Sequence, residues 1–319
     1  MLNSLRRSLR RLSWWKRFQE IRREGWENAW RRWRIARQIL ATPPVRTRSP
    51  DTSPSVSAEV HILLWERDYQ NGLWAAKTFY AASSVDWPLY WHQGGPMPDR
   101  AVAHLQEHFP DSRWIPATAA DREVNAELER RGLDNCRTGR ARAFMLRKLI
   151  DPYLFGHADY QLLLDTDVLF FGRPAEILDT VAERADVSLF NRDRGYWYNI
   201  TPESARDRYG IDLIPEINAG LGLVRRAGVD LELLDQLLAD QDLFTDPWLT
   251  EQTVQALLAS RYGARHLPET YGLSTAPGLI TADGRPLVCK HYPGHPRVHL
   301  YREGMPHVVS SGLLPVEKG

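Results

Sequence analysis

The sequence predicts an α/β domain over residues 59–319 built on a mostly parallel sheet, and three observations predict it. Leu162 to Leu164 and Val168 to Phe171 are unbroken apolar runs, the pattern of strands buried on both faces. From Glu59 onward such runs alternate with helical stretches. Two carboxylates, Asp165 and Asp167, stand between the two apolar runs, at a strand end of the kind where an open α/β sheet receives its ligands.

A basic amphipathic helical segment, residues 1–40, precedes the domain. Leu2, Leu5, Leu9 and Leu12 recur at helical steps, followed by Trp15 and Phe18, with Arg6, Arg7, Arg10, Arg11 and Arg17 alongside. Trp26, Trp30 and Trp33 repeat the spacing among Arg31, Arg32, Arg34 and Arg37. Residues 1–50 carry 14 Lys/Arg against 3 Glu, a net of +11; with +1 for the whole chain, residues 51–319 carry −10. Leucine and tryptophan opposite arginine compose a helix for an anionic membrane surface. Its rivals are packing on the domain, nucleic-acid binding and a transit peptide. The transit reading draws on the lack of acid before Glu20 and on the serines at 4, 8 and 13. The acidic remainder tells against nucleic acid, and none is expected as a partner. Residues 41–58 hold four prolines and many hydroxyls, the composition of a semi-extended, poorly ordered linker.

Within the domain, Val60 to Trp65 is a first strand and residues 71–83 a helix after it. Pro88 to His92 is a second strand, closed by Gln93, Gly94 and Gly95. A helix over 98–108 leads to the short strand Arg113 to Ile115. One long helical region, roughly 120–150, then feeds the strand with the Asp pair. Val187 to Phe190 and Gly220 to Val224 are later strands, helices follow at 229–239 and 248–260, and Leu287 to Lys290 closes the sheet. The domain tryptophans at 65, 74, 87, 91, 114, 197 and 248 offer faces for sugars, but core packing is the reading for most. Cys136 and Cys289 are too few for a disulfide framework and fit a reducing compartment. No apolar run approaches the ~20 residues that span a bilayer, and the N-terminus lacks the apolar centre of a secretory signal. The expectation is a cytoplasmic protein, peripheral at the membrane through residues 1–40.

In extended chain Asp165 and Asp167 point to one side, with Thr166 opposite. A buried carboxylate is costly unless it is paired, hydrogen-bonded or on a metal. Such a pair holds a hard divalent cation through oxygen, and the cation in turn holds a diphosphate. An Asp-x-Asp that merely caps the following turn is the plainer reading.

Other pieces stand around that pair in a fixed order. Arg147-Lys148-Leu-Ile150 precedes it by some 15 residues, and Ile217-Asn218-Ala219-Gly220, Glu251-Gln252 and His291-Tyr-Pro-Gly294-His-Pro-Arg297 follow. In this order, over about residues 59–300, they resemble the motifs of GT-A-fold glycosyltransferases, within them the glycogenin and bacterial lipopolysaccharide galactosyltransferase family. The resemblance implies that Arg147 and Lys148 lie on the family's arginine helix. It puts Asn218 and Gly220 in the turn near the donor sugar, and Glu251 and Gln252 on the acceptor side. His291, Gly294 and Arg297 match the family's His-x-x-Gly-x-x-Lys, with arginine for lysine. The Pro-Trp that usually follows is replaced by Val298-His299.

The chemistry of these residues agrees. Asp165, Asp167 and a neutral His291 give mixed oxygen and nitrogen ligation, which suits Mn²⁺ better than Mg²⁺. Gly294 permits close backbone approach, Arg297 supplies a fork that matches phosphate, and Arg147 or Lys148 neutralises the same diphosphate. Asp68 and Tyr69, after the first strand, are where the nucleoside end belongs. Plainer readings stand beside each: His291 as a surface histidine, Asn218 and Gly220 as a turn, Glu251 as a first-turn acid, Arg147 as a helix-surface charge. The expected activity is metal-dependent transfer of a sugar from a nucleotide-sugar, a UDP-sugar by resemblance, to a glycan, glycolipid or other hydroxyl acceptor. An inverting enzyme needs a base, for which Glu251 is the candidate, whereas a retaining one, as the family implies, needs none. Two alternatives remain open: a haloacid-dehalogenase-type phosphatase using Asp165 and Asp167, and a non-catalytic sugar-nucleotide-binding domain.

Overall fold

The computed structural model describes residues 25–50, 57–294 and 297–315; the leucine-arginine stretch over 2–18 lies outside them. Seven strands form the central sheet in the order β3 (Arg113–Ile115), β2 (Leu89–Gln93), β1 (Ala58–Leu64), β4 (Tyr160–Leu164), β7 (Ile217–Arg225), β6 (Ser188–Arg192) and β8 (Ala264–His266). Only β7 runs against its neighbours, pairing antiparallel with β4 and β6. The sheet is mostly parallel, as expected. Along β1 the side chains alternate: Val60, Ile62 and Leu64 enter one core, while Glu59 and His61 are buried toward the other face.

The run Val168 to Phe171 does not continue β4. The chain turns at Thr166 and Asp167, and β5 (Val168–Phe170) joins a separate three-stranded sheet with β10 (Cys289–His291) and β9 (Tyr271–Leu273). The closing strand expected over 287–290 is therefore shifted by two residues at its start and lies in this small sheet, not the central one.

The helices are α1 (Trp26–Gln38), α2 (Tyr69–Ser83), α3 (Asp99–His108), α4 (Ala117–Arg130), α5 (Asp134–Arg142) and α6 (Arg147–Phe155), then α7 (Ala175–Ala182), α8 (Pro202–Tyr209), α9 (Leu231–Leu238), α10 (Thr250–Tyr262) and α11 (Met305–Ser311). The single helix expected over 120–150 is thus α4, α5 and α6. Gly132 in the left-handed region, φ 71°, ends the first of them. Helices α7, α8 and α11 and strands β8 and β9 have no counterpart in the sequence reading; short elements carry little periodicity, although the equally short β3 and α9 were legible.

Helix α1 is docked on the domain. Ala36 and Ile39 are buried, and the Trp74 indole N–H donates to the Ala36 carbonyl at 3.1 Å. Residues 42–50 have no regular structure, as a linker would, but they are not loose. Val45 N–H donates to His108 O at 2.8 Å, and Lys77 Nζ, itself buried, reaches Thr42 Oγ1 at 2.6 Å.

Candidate metal and donor site

Two strand pairings assemble the site. Antiparallel pairing of Leu164 with Leu221 sets the end of β4 against the start of β7, and Asp165 N–H donates to Gly220 O at 2.8 Å. Pairing of Val168 with His291 carries β10 to the other side of the turn, where Tyr292 N–H donates to Asp167 O at 2.9 Å. Asp165, Asp167 and His291 each offer a ligand atom, and these lie within 4.8 Å of one another. The two aspartates converge because they lie on a turn, not because they alternate along one strand as expected.

The surroundings fix the state of His291. Asn218 Nδ2 donates to Asp193 Oδ2 at 3.0 Å and Asn218 Oδ1 accepts from Gly220 N–H at 3.0 Å, so the amide orientation is settled. His291 Nδ1 lies 2.9 Å from that same Oδ1 and must carry the proton. Nε2 is then the ring nitrogen left to ligate, and it lies 3.2 Å from Asp167 Oδ1, a buried oxygen with no hydrogen-bond partner. A ligand nitrogen and a carboxylate oxygen aimed at each other in a buried setting can share a cation, and a second neighbour that fixes the histidine tautomer is a usual companion of metal-bound imidazole. The residues fit a divalent metal. Gly220 makes room for the ring: a Cβ there would lie 2.2 Å from His291 Cε1.

Cations frame this cluster. Lys148, in the first turn of α6, places Nζ 2.7 Å from Asp165 Oδ1, 2.7 Å from Ala219 O and 3.5 Å from Glu251 Oε1. Burial works against its charge, but Asp165 and Glu251 more than offset that and hold the ammonium well above its ordinary range. Arg297 Nε lies 2.6 Å from Asp167 Oδ2, and its Nη1 donates to Asp68 Oδ1 at 3.0 Å. Burial would raise the Asp167 carboxyl, but the Arg297 guanidinium beside it pulls it below its ordinary value. Glu251 behaves oppositely. Burial pushes it up to about 7 against the pull of Lys148.

The structure brings most of the expected residues together, with exceptions. Arg147 turns away to Asp121, at 2.9 Å, because the helix carries it to the α4 side while Lys148 faces the cluster. The Tyr69 hydroxyl lies against His104 Nδ1 at 3.2 Å rather than beside Asp68 and Arg297. Gly294 has a positive φ of 79°, and no protein atom crowds the position a Cβ would take. Glu251 is buried, with Gln255 Nε2 donating to it at 2.6 Å, so it sits behind Lys148 rather than open to an acceptor. Gln252 is tied to backbone: its Oε1 accepts from Ala219 N–H at 3.3 Å and its Nε2 donates to Trp197 O at 3.0 Å. Of the domain tryptophans, Trp197 and Trp248 stand out at 55% and 75% exposed, beside and just before Gln252. Asp193 and Asp121, which anchor Asn218 and Arg147, gave no signal in the sequence because each is one acid among many in polar stretches.

No family model matches the chain, and no curated protein matches it in sequence. In structure it is similar to the galactosyltransferase LgtC in complex with donor and acceptor sugar analogues, with TM-score 0.51 and 15% identity over 79% of this chain and 95% of that one. The chain has the GT-A fold. An LgtC active-site variant matches this GT-A domain equally, at TM-score 0.51 and 14% identity over 81% and 96% of the two chains. Mouse xyloside xylosyltransferase 1 lies further off, at TM-score 0.45 and 12% identity over 76% and 99%. In the GT-A frame the Asp pair follows the fourth strand, at the carboxyl edge of the sheet.

Proposed function

We propose that the chain is a metal-dependent glycosyltransferase that moves a sugar from a nucleotide-sugar, a UDP-sugar by resemblance, to a carbohydrate or lipid-linked hydroxyl. The observation that carries this reading is the orphaned Asp167 Oδ1 facing His291 Nε2, with Asp165 completing the set and two cations alongside. Asp165, Asp167 and His291 would hold the metal, Mn²⁺ by the mixed donor set. The bound ion supplies Lewis acidity toward the leaving diphosphate. Lys148 orients Asp165 through a 2.7 Å ion pair. Arg297 contributes a planar fork for phosphate oxygens and is already held at the site by Asp68. Glu251 acts through Lys148, as a positioning residue, and Gln252 with exposed Trp197 and Trp248 lines the acceptor side.

Calorimetry with UDP tests the reading. Binding is expected with Mn²⁺ and to be largely lost in EDTA, because two carboxylates repel a diphosphate unless a cation joins them. Equal affinity in both buffers would overturn the metal assignment. A donor screen in Mn²⁺ that follows nucleotide release across UDP-, GDP- and dTDP-sugars then identifies the substrate.

A further inference from the structure

We infer that the outward face of α1 is a docking surface for an anionic lipid bilayer, held rigidly to the catalytic domain. This inference stands apart from the transfer reaction. The helix has two distinct faces. Its inner face packs on the domain through Ile35 and Ala36, with Ile39 just past its end, Asn28 bonded to the Arg302 guanidinium and the Arg32 guanidinium over the Tyr301 ring at 6.0 Å. Trp26, Trp30 and Trp33 recur at steps of four and three on the other side and are 72%, 58% and 57% exposed. Three large indoles bared in one stripe are costly in water unless something covers them.

The chemistry of the face points to lipid. Arg34 lies 5.4 Å from the centroid of Trp30 and Arg37 4.9 Å from that of Trp33, so each of these two exposed indoles carries a cation over it. Arg31 adds another positive group and is paired with Glu27 at 3.2 Å. Indoles with arginines suit the depth where acyl chains meet anionic headgroups. A polyanion longer than the helix meets the rest of the chain, which carries −10 against the +11 of residues 1–50, and is repelled. Because α1 packs on Leu300–Gly304, the segment just after Arg297, docking fixes the orientation of the donor site to the membrane. Packing and membrane binding, rivals in the sequence, are then opposite faces of one helix.

The test uses the full chain and vesicles of phosphatidylcholine with and without phosphatidylglycerol. Sedimentation should show binding to the anionic vesicles, weakened by salt but with a salt-resistant remainder. Brominated lipid should quench part of the tryptophan emission. The triple variant Trp26→Ala, Trp30→Ala, Trp33→Ala should lose that quenching and the salt-resistant remainder, with partition lowered about tenfold or more. Its circular dichroism melt should match the parent, since the three side chains face outward. The triple variant Arg31→Gln, Arg34→Gln, Arg37→Gln should instead lose the salt-sensitive part. The inference fails if the tryptophan variant partitions like the parent, which would assign binding to residues outside this face. It fails equally if the parent ignores both vesicles, or binds an RNA oligonucleotide in preference to them.

Discussion

Arg297 holds a place that a divalent cation contests. Its Nε lies 2.6 Å from Asp167 Oδ2, so one carboxylate that would ligate the metal is already neutralised by an internal cation. Its φ of 56° lies in the left-handed region, unusual for a residue with a side chain, and places it there. Arg297→Ala should therefore tighten Mn²⁺ binding in the absence of nucleotide by several-fold, while weakening UDP binding about tenfold or more. Electron paramagnetic resonance of free Mn²⁺ and calorimetry with UDP measure the two separately; weaker Mn²⁺ binding would show that Arg297 supports the metal rather than competing with it. Glu251 invites a second comparison. A general base contributes roughly 10²–10⁴-fold in rate, whereas a buried partner of Lys148 with a carboxyl near 7 acts by position. Glu251→Gln keeps the shape and is expected to lower kcat by no more than about tenfold; a loss of a thousandfold would restore it as the base. The sequence made Asp165 and Asp167 legible because two carboxylates at that spacing limit the chemistry they serve, and His291 legible through the family motif it resembles. It left Arg147 and Lys148 equivalent, since adjacent residues on a helix face different ways and only the packing of α6 decides which one meets Asp165.

The first two strands carry a polar device inside the fold. Glu59 and His61 on β1 and His92 on β2 form a buried chain, with Glu59 Oε1 3.1 Å from His61 Nε2 and His61 Nδ1 2.9 Å from His92 Nε2. Gln161 Nε2 on β4 donates to Glu59 at 2.8 Å and His157 N–H at 3.1 Å. Burial alone would raise the Glu59 carboxyl, but the His61, Gln161 and His157 contacts more than offset it, taking it from 4.5 down to about 2. A depressed carboxyl stabilises the fold above its unfolded value and loses that contribution as pH falls. Stability should thus decline between pH 4.5 and about 2, by roughly 2–3 kcal/mol from this group. Melts of the parent and Glu59→Gln over that window check it: the gap between them should close as pH drops, and a constant gap would refute the linkage. The alternation that buries Val60 and Ile62 also predicted that Glu59 and His61 share the other face. Whether that face was solvated was not readable, because it depends on α6 and the glycine turn after it.

At the scale of the molecule, the N-terminal segment is part of the domain's packing. Ile39 is buried in the same cluster as Trp74, and Lys77 uses Thr42 and Pro43 as partners. A chain beginning at Ser57 would bare Trp74 and leave the Lys77 ammonium buried without those oxygens. It should melt several degrees lower than the parent or aggregate, whereas a chain beginning at Gly25 keeps every contact described here. Differential scanning calorimetry of both truncations decides between them; equal melting would mean that the docked helix contributes little to the fold. The sequence by itself determined the α/β class and the alternation of strands and helices, which rest on local order, period and run length. The three metal-binding candidates came from the Asp pair and from the family motif that the His291 segment resembles. Only the tertiary structure decided that β5 and β10 form their own sheet, that Arg297 pairs with Asp68 across the length of the domain, and that α1 turns one face to the protein and another outward. Those are contacts between segments far apart in sequence, set by which surfaces meet when the cores close, and no local pattern encodes them.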